Sequence, residues 1–509
     1  MTNCQLAIPF LPTPIMAPRK HDHENVLSQG DKFLANIAEK VASIDAKLRA
    51  KEQTASVDKA LRTFVRIRPM LRPEVEETDE FQVANAVGGR VAVVSEPKFS
   101  VRGDVRPMHH ASTLDGAFGP ADTTEDVFAA VGIPLLRSAL DGGTSTLMAY
   151  GQTGSGKTHT VTGLVRQLAE GLFEPSEQPE DEVNVVINVV EVHGTSVRDL
   201  VTGEDADIVE DYFGKVQLHK ASKNVVSSAR EMLNLVNRAM GARTTKSTGR
   251  NDDSSRSHAV IRIRLEFVHE DRIHLQPGEL TIVDLAGSER NADQLHHDKA
   301  MMEESRLINQ SLMTLSECIT RRSQLGTAKG HVHIPFRQSK LTLLLKDSFE
   351  LSPATIGNTS HRVFTIACLS PLARDANHSA NTLRYAKNLY TCRQPDPAVI
   401  AQLQAKIADM DPITWPRLRI AKWIARETGG HVDPLNDPKC TLMADVKMCG
   451  RDVVALTREE FLAHTSATIG EKGAEMVYGK LANLCFTARS ERRNMTSSTR
   501  RAPVPGTAV

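Results

Sequence analysis

The stretch Gly151-Gln-Thr-Gly-Ser-Gly-Lys157-Thr158 limits this chain more than any other, because it fits G-x-x-x-x-G-K-[ST] at every position. Gly151, Gly154 and Gly156 let the backbone turn tightly, so that the N–H groups of the loop, through Gln152, Thr153 and Ser155, aim at phosphate oxygens. Lys157 reaches β- and γ-phosphates, and the Thr158 hydroxyl is placed to ligate Mg²⁺. The apolar run Thr146-Leu-Met-Ala-Tyr150 reads as a buried strand entering the loop. Residues 157–168 read as a helix leaving it, with its N-terminal dipole toward the phosphates. The competing reading is a chance glycine-rich turn. A strand before the loop and a helix after it make that the poorer account.

At 509 residues the chain can hold one large core and one or two smaller units. Lys+Arg and Asp+Glu are both 62, so the overall charge gives no sign of a nucleic-acid partner, and local patches must be judged separately. Seven scattered cysteines without a CxxC pair suit a reducing compartment better than a disulfide framework or a zinc site. With no run of eighteen apolar residues, no transmembrane segment is expected. Residues 1–24 include an apolar stretch broken by prolines and without a signal peptide's basic start. They are expected to be disordered, and the protein cytoplasmic.

Residues 25–62 are charged, with Phe33, Ile37, Val41, Ile44 and Leu48 at three- and four-residue spacing, which predicts a helix with one apolar stripe. It reads either as a helix packed on the next domain or as a neck that touches a partner. Strands are expected at 63–69, 183–192, 260–267, 280–285 and 363–369, with helices at 227–240 and 300–322 between them. Strands alternating with helices around a phosphate loop imply an α/β fold, a central mostly parallel or mixed sheet flanked by helices, over 63–392. A linker is expected at 393–412, a small all-α unit at 413–485, and a basic disordered tail at 486–509.

Two further segments complete a candidate nucleotide site. Ile282-Val-Asp284-Leu-Ala-Gly287 is an apolar strand ending in an acid of the type that holds a Mg²⁺ water opposite a phosphate loop. Gly287, lacking a side chain, lets its N–H approach a γ-phosphate. The polar cluster Asn251-Asp-Asp-Ser254-Ser255-Arg256-Ser257-His258 supplies hydroxyls for Mg²⁺ or phosphate, and Arg256 is placed to pair with an acid such as Glu289. Taken singly, each has an ordinary structural reading: a capping serine, a surface ion pair, a strand-end acid.

These segments, with Arg66-Ile-Arg-Pro69, Ile334-Pro-Phe-Arg337-Gln-Ser-Lys340 and Asn381-Thr-Leu-Arg-Tyr-Ala386, resemble the kinesin motor domain in the family's order over about 60–392. The resemblance implies a microtubule-binding ATPase using ATP and Mg²⁺ and associated with the cytoskeleton. It implies that Arg66, Pro69 and His159 line the adenine, and that Ser254 and Ser255 belong to the first switch, Ser255 with Thr158 and Asp284 about the metal. Arg256–Glu289 would be a latch around the attacking water. A relay helix from near Asn309 would lie on tubulin, with Arg337 and Lys340 on the same surface, where basic groups suit an acidic partner.

Within the family, Ser95-Glu-Pro-Lys98, Asp141-Gly-Gly143 and Ser316-Glu-Cys318-Ile resemble the internal-motor, microtubule-depolymerising group, the thirteenth subfamily. Departures stand beside the likeness. The group's Lys-Val-Asp loop tip is here Ser100-Val-Arg-Gly-Asp104, Ser316 replaces a lysine, residues 291–302 lack the usual glycine-containing form, and the neck is less basic. A stepping or cross-bridging motor and a non-hydrolysing microtubule-binding scaffold remain open beside the depolymerase. No long heptad stretch follows the motor within the chain, which weighs against two-headed transport. Residues 413–484 resemble a sterile-alpha-motif domain, with Trp415, Ile420 and Trp423 expected on the inner face of one helix. That resemblance implies self-association or docking of a second such domain.

Overall fold

The computed structural model describes residues 26–49, 61–76, 80–99, 105–174, 183–210, 216–245, 256–267, 277–289, 299–324, 333–349, 362–391, 411–431, 433–437, 439–443 and 448–495. The expectations for residues 1–24, Asn251 to Ser255, the 100–104 tip and 291–298 therefore lie outside the described residues.

The chain enters through helix α1 (Gly30–Arg49) and strand β1 (Leu61–Ile67). A short helix α2 (Arg72–Glu76) leads to the meander β2 (Ala84–Val87), β3 (Val91–Phe99) and β4 (Val105–Thr113), a three-stranded antiparallel sheet. Strand β5 (Gly116–Phe118) and the helical stretch ending in α3 (Ile133–Leu140) precede β6 (Thr144–Tyr150) and α4 (Lys157–Leu172). Next come β7 (Val183–His193), β8 (Ser196–Asp199), β9 (Asp207–Glu210), β10 (Val216–His219) and β11 (Asn224–Val226). Helix α5 (Ala229–Thr245) is followed by β12 (His258–Phe267), β13 (Gly278–Asp284), α6 (Lys299–Ser323), the short helices α7 (Lys340–Leu344) and α8 (Lys346–Phe349), β14 (Arg362–Leu369) and α9 (Ala376–Thr391).

The main sheet runs β11-β7-β12-β13-β6-β14-β1-β5, with β8 beside β7. Its middle is parallel, β13 and β14 flanking β6 and β1 following β14, while β12, β7 and β11 are antiparallel. Alternate residues of each strand face opposite layers, as the two-residue pleat demands. Leu147, Ala149, Ile261, Ile263 and Ile282 pack with Val161, Leu164 and Leu168 of α4 and Met232 and Val236 of α5. Met148, Tyr150, Val190, Val260 and Val283 pack on the other face with Leu312, Leu315 and Ile319 of α6 and Leu341 and Phe349. This is the α/β fold expected, and the helix expected at 300–322 is α6, which begins at Lys299, ten residues before the relay-helix start that the resemblance placed near Asn309. The meander and the short strands β8 to β11 are not among the strands expected from the sequence.

Helix α1 lies on the meander. Val26, Phe33 and Ile37 pack with Val83, Ala373 and Ala376, and Val41, Ile44 and Leu48 with Val87, Val91 and Val93. The Gln29 side-chain oxygen accepts from the Val105 amide at 3.2 Å. The apolar stripe read from spacing is thus covered by the chain's own sheet.

The C-terminal unit contains α10 (Arg417–Glu427), α11 (Gly450–Ala455) and α12 (Arg458–Met495), with Ile420, Trp423, Val453, Phe461, Val477 and Leu481 in one core. Three boundaries shift from expectation. Trp415 precedes α10 rather than lying on it; it still meets Trp423 with ring centroids 6.2 Å apart. Residues 411–412, assigned to the linker, are buried, and Asp411 caps the Pro412–Thr414 turn through the Ile413 amide at 3.1 Å. Helix α12, bent where Gly470 takes φ 71°, runs to Met495 past the expected boundary at 485, because Cys485 and Ala488 continue its buried stripe.

Replacing Phe33, only 2% exposed, by Ala should cost about 3 kcal/mol of the α1 packing. Limited trypsin cleavage at Lys40 and Lys47 should then accelerate by roughly tenfold or more. Unchanged cleavage would show that α1 is held elsewhere.

Candidate functional site

The site forms where β6 ends. Ala149 stands opposite Asp284 in the parallel β6–β13 pairing and opposite Ile366 of β14, so the loop after Tyr150 leaves from the centre of the sheet beside the Asp284 carboxylate. Gly151 has to be glycine, since a Cβ there would collide with the Cys368 carbonyl oxygen. Gly156 takes φ 93°, a left-handed turn that hands the chain to α4. Lys157 is buried, and its ammonium donates to the Gln152 carbonyl at 2.9 Å. Burial holds its pKa below the ordinary value, and Asp284 and Glu289 oppose that shift.

Asp284 is the hub. The Thr158 hydroxyl donates to Asp284 Oδ2 at 2.7 Å, and the Arg243 guanidinium donates to the same oxygen at 2.9 Å. Arg243 and Asp284 form a buried ion pair, each side chain 2% exposed. Arg243 also donates to the Ser257 hydroxyl at 3.1 Å and to its carbonyl, and the Ser257 hydroxyl donates to Glu191 at 2.6 Å. Helix α5, strand β7 and the start of β12 are thereby tied to the carboxylate at the end of β13. The other Asp284 oxygen, Oδ1, is buried with no hydrogen-bond partner among the described residues. A hydroxyl, an acid and an unsatisfied buried carboxylate oxygen are a donor set that suits a hard divalent cation such as Mg²⁺.

The segment after β13 lies on the loop. The Ser288 amide donates to the Gly151 carbonyl at 3.1 Å. Glu289 accepts from the Thr153 amide at 2.9 Å and from the Thr153 hydroxyl. Gly287 sits where any Cβ would strike the Glu289 carboxylate and the Thr153 hydroxyl. Arg256 is half-buried in the turn just before β12; Ser254 and Ser255 fall outside the described residues.

Behind this segment, His258 is buried. Its Nδ1 accepts from the Ala286 amide at 2.9 Å, which leaves Nε2 to donate to the Ser311 hydroxyl of α6 at 2.8 Å, and Ser311 donates onward to the Ile308 carbonyl at 2.7 Å. One imidazole therefore joins β12, the Asp284–Gly287 turn and α6. Burial is the main cause that pushes its pKa down to about 3, with Arg243 adding to it.

A cavity of about 370 Å³ opens beside the loop, lined among others by Arg66, Arg68, Pro69, Leu71, Gly156, His159 and Asp284. Arg66 reaches it with its guanidinium turned inward, donating to the Thr160 hydroxyl at 3.2 Å and the Thr124 hydroxyl at 3.0 Å. Arg68 takes the outer position, its Nε donating to the Gly154 carbonyl at 2.7 Å. Sequence reasoning singled out neither Arg68, Arg243 nor the His258–Ser311 pair. Arg68 was visible inside Arg66-Ile-Arg-Pro69. Nothing in α5 distinguishes Arg243 from a surface arginine until the fold buries it. On the opposite side, Asn309 is half-buried on α6, Arg337 is 73% exposed and pairs with Glu210 at 2.7 Å, and Lys340 begins α7.

A mixed sheet with a phosphate loop at the end of a central strand and an acid at the end of its neighbour defines a P-loop nucleotide-binding protein. The family model for the kinesin motor domain matches residues 66–392, and the chain belongs to that family. It is 34% identical over 338 residues to diatom spindle kinesin-1 of Cylindrotheca fusiformis, covering 66% of this chain and 51% of the relative. It is 36% identical over 335 residues to human kinesin-like protein KIF24, covering 64% of this chain and 23% of the relative. With rice (Oryza sativa subsp. japonica) kinesin-like protein KIN-13A it shares 29% over 398 residues, 74% of this chain and 46% of the relative. The chain thus spans about half the length, or less, of these relatives. The solved structure of a fast kinesin shares the fold at a TM-score of 0.54 and 24% identity, covering 66% of this chain and 92% of that one.

His258 is neutral when folded, and its folded pKa lies below the ordinary 6.5, so its contribution is complete above pH 6.5 and fades as pH falls toward 3. The loss approaches about 1.4 kcal/mol per pH unit. Urea unfolding between pH 7.5 and 5.5 should therefore show a steeper loss of stability for the native chain than for His258→Gln. Equal slopes would remove His258 as the cause.

Proposed function

We propose that this chain is a microtubule-binding ATPase, and more finely a motor that acts on microtubule ends. The observation that carries the ATPase reading is the joining of Lys157, Thr158, Asp284, Gly287 and Glu289 about one loop, with His258 linking the same turn to α6. The loop N–H groups of Gly151 to Thr158 and the Lys157 ammonium hold the phosphates, while Pro69, His159 and the arginines flank the base. Thr158, Asp284 through water, and Ser255 would hold Mg²⁺, which when bound supplies positive charge to the phosphate oxygens. Ser254, Gly287 and Glu289 orient the attacking water, Arg256 completing the latch. Catalysis on this plan is placement and electrostatics, with no covalent intermediate.

A γ-phosphate that draws the Gly287 amide would pull on the Ala286 amide, His258 and Ser311, so that α6 senses the nucleotide state. Helix α6 shows the outside Met302 and Met313, 55% and 72% exposed. With Asn309, Arg337 and Lys340 it forms the face we assign to tubulin. The end-depolymerising reading draws support from similarity to rice KIN-13A and human KIF24 and from Asp141-Gly-Gly143 and Ser316-Glu-Cys318-Ile319. We assign residues 413–485 as a sterile-alpha-motif-like docking module, on the strength of its separate helical core.

The test places the full chain on stabilised fluorescent microtubules with ATP beside Lys157→Ala. Shortening from the ends that the variant loses, with ATP turnover down by about a hundredfold or more, is the expected result. Gliding without shortening would replace the end-acting reading with a stepping motor. Binding equal in both proteins, without turnover, would leave a scaffold.

A further inference from the structure

One side of the cavity beside the phosphate loop is held from behind by a carboxylate that is not itself part of the lining. Arg68, Pro69 and Leu71 form that wall. Glu74, in α2, accepts from Arg68 NH1 at 2.7 Å and NH2 at 2.6 Å, a bidentate pair with side chains 14% and 12% exposed. The same carboxylate accepts from the Leu71 amide at 2.8 Å. Arg68 is thereby set with its Nε on the Gly154 carbonyl and its NH1 on the Pro69 carbonyl at 2.9 Å. Leu71, which also lines the cavity, is 53% exposed there and so open to contact from a bound ring. Arg374, 46% exposed and 3.8 Å away, adds little to so close a pair.

We propose that Glu74 is a positioning residue for the nucleobase: by gripping Arg68 and the Leu71 amide it holds the wall on which a purine stacks, and so sets affinity for the base rather than for the phosphates. The inference rests on the nucleotide reading of the site. A guanidinium plane can stack on the face of a base while a proline and a leucine give it apolar contact, and that stacking depends on the guanidinium being held parallel to the ring. Without the carboxylate, Arg68 keeps two carbonyl contacts among the described residues, and its side chain regains rotamer freedom that binding must then remove. The hydrogen bond from Arg68 holds the Glu74 carboxyl below the ordinary range, which favours its carboxylate form.

The experiment measures binding of fluorescently labelled ADP and of inorganic tripolyphosphate to the full chain and to Glu74→Gln. The variant should weaken ADP by about five- to tenfold and raise KM for ATP by a similar factor, as expected for losing one charge-assisted pair. Tripolyphosphate affinity and kcat should stay within about twofold, because the loop and Lys157 are untouched. Arg68→Lys should reproduce the ADP defect, and adding Glu74→Gln to it should weaken ADP no further. Unchanged ADP binding in Glu74→Gln, or an equal fall for ADP and tripolyphosphate, would overturn the proposal. If the native chain binds neither ligand, the nucleotide reading itself fails, a result distinct from either of these.

Discussion

The parallel pairing of β6 with β13, in the register that sets Ala149 opposite Asp284, is the constraint from which the rest follows. A slip of one residue would turn Asp284 to the other face of the sheet and separate it from the loop. The register is held because both strands are buried on both sides, with Leu147 and Ile282 in one apolar layer and Met148 and Val283 in the other. Stability and site are therefore one arrangement: the same side chains that bury the sheet fix the distance from the Thr158 hydroxyl to Asp284.

Placing an acid there makes an electrostatic demand that the surrounding elements meet. A buried carboxylate is costly without compensation, and Arg243 supplies the charge while Ser257 and Glu191 orient the arginine. The resulting chain of contacts crosses four elements, from α5 through β12 and β7 to β13. His258 adds a second connection to α6. Residues on opposite faces of the sheet thus share polar contacts through its edge of the site, which is the physical basis for coupling a phosphate-sized change to a helix on the far side.

The N-terminal helix shows how an ambiguous pattern resolves. Phe33, Ile37, Val41, Ile44 and Leu48 announce an apolar stripe, and any apolar surface of the right shape would satisfy it. The meander β2–β4 provides that surface, and since β3 and β4 flank residues 100–104, the helix braces the hairpin at its base. The stripe read as a possible partner-binding neck is thus occupied within the chain, at Phe33 and Ile37 almost completely.

Local chemistry wrote the phosphate loop, the long strands and the amphipathic helices into the chain, because each depends on residue type and short spacing: glycines where the turn demands them, β-branched runs, apolar residues every third or fourth position. Arg66-Ile-Arg-Pro69 and Asp284 to Glu289 were legible for the same reason. The role of Arg243, the tautomer of His258, the inward turn of Arg66 and the grip of Glu74 on Arg68 were not. Arg243 and Asp284 are 41 residues apart, and His258 and Ser311 are 53 apart. Such contacts carry no local signature. They exist only once sheet register and helix packing have excluded water around them, and it is burial that makes a particular arginine or histidine matter.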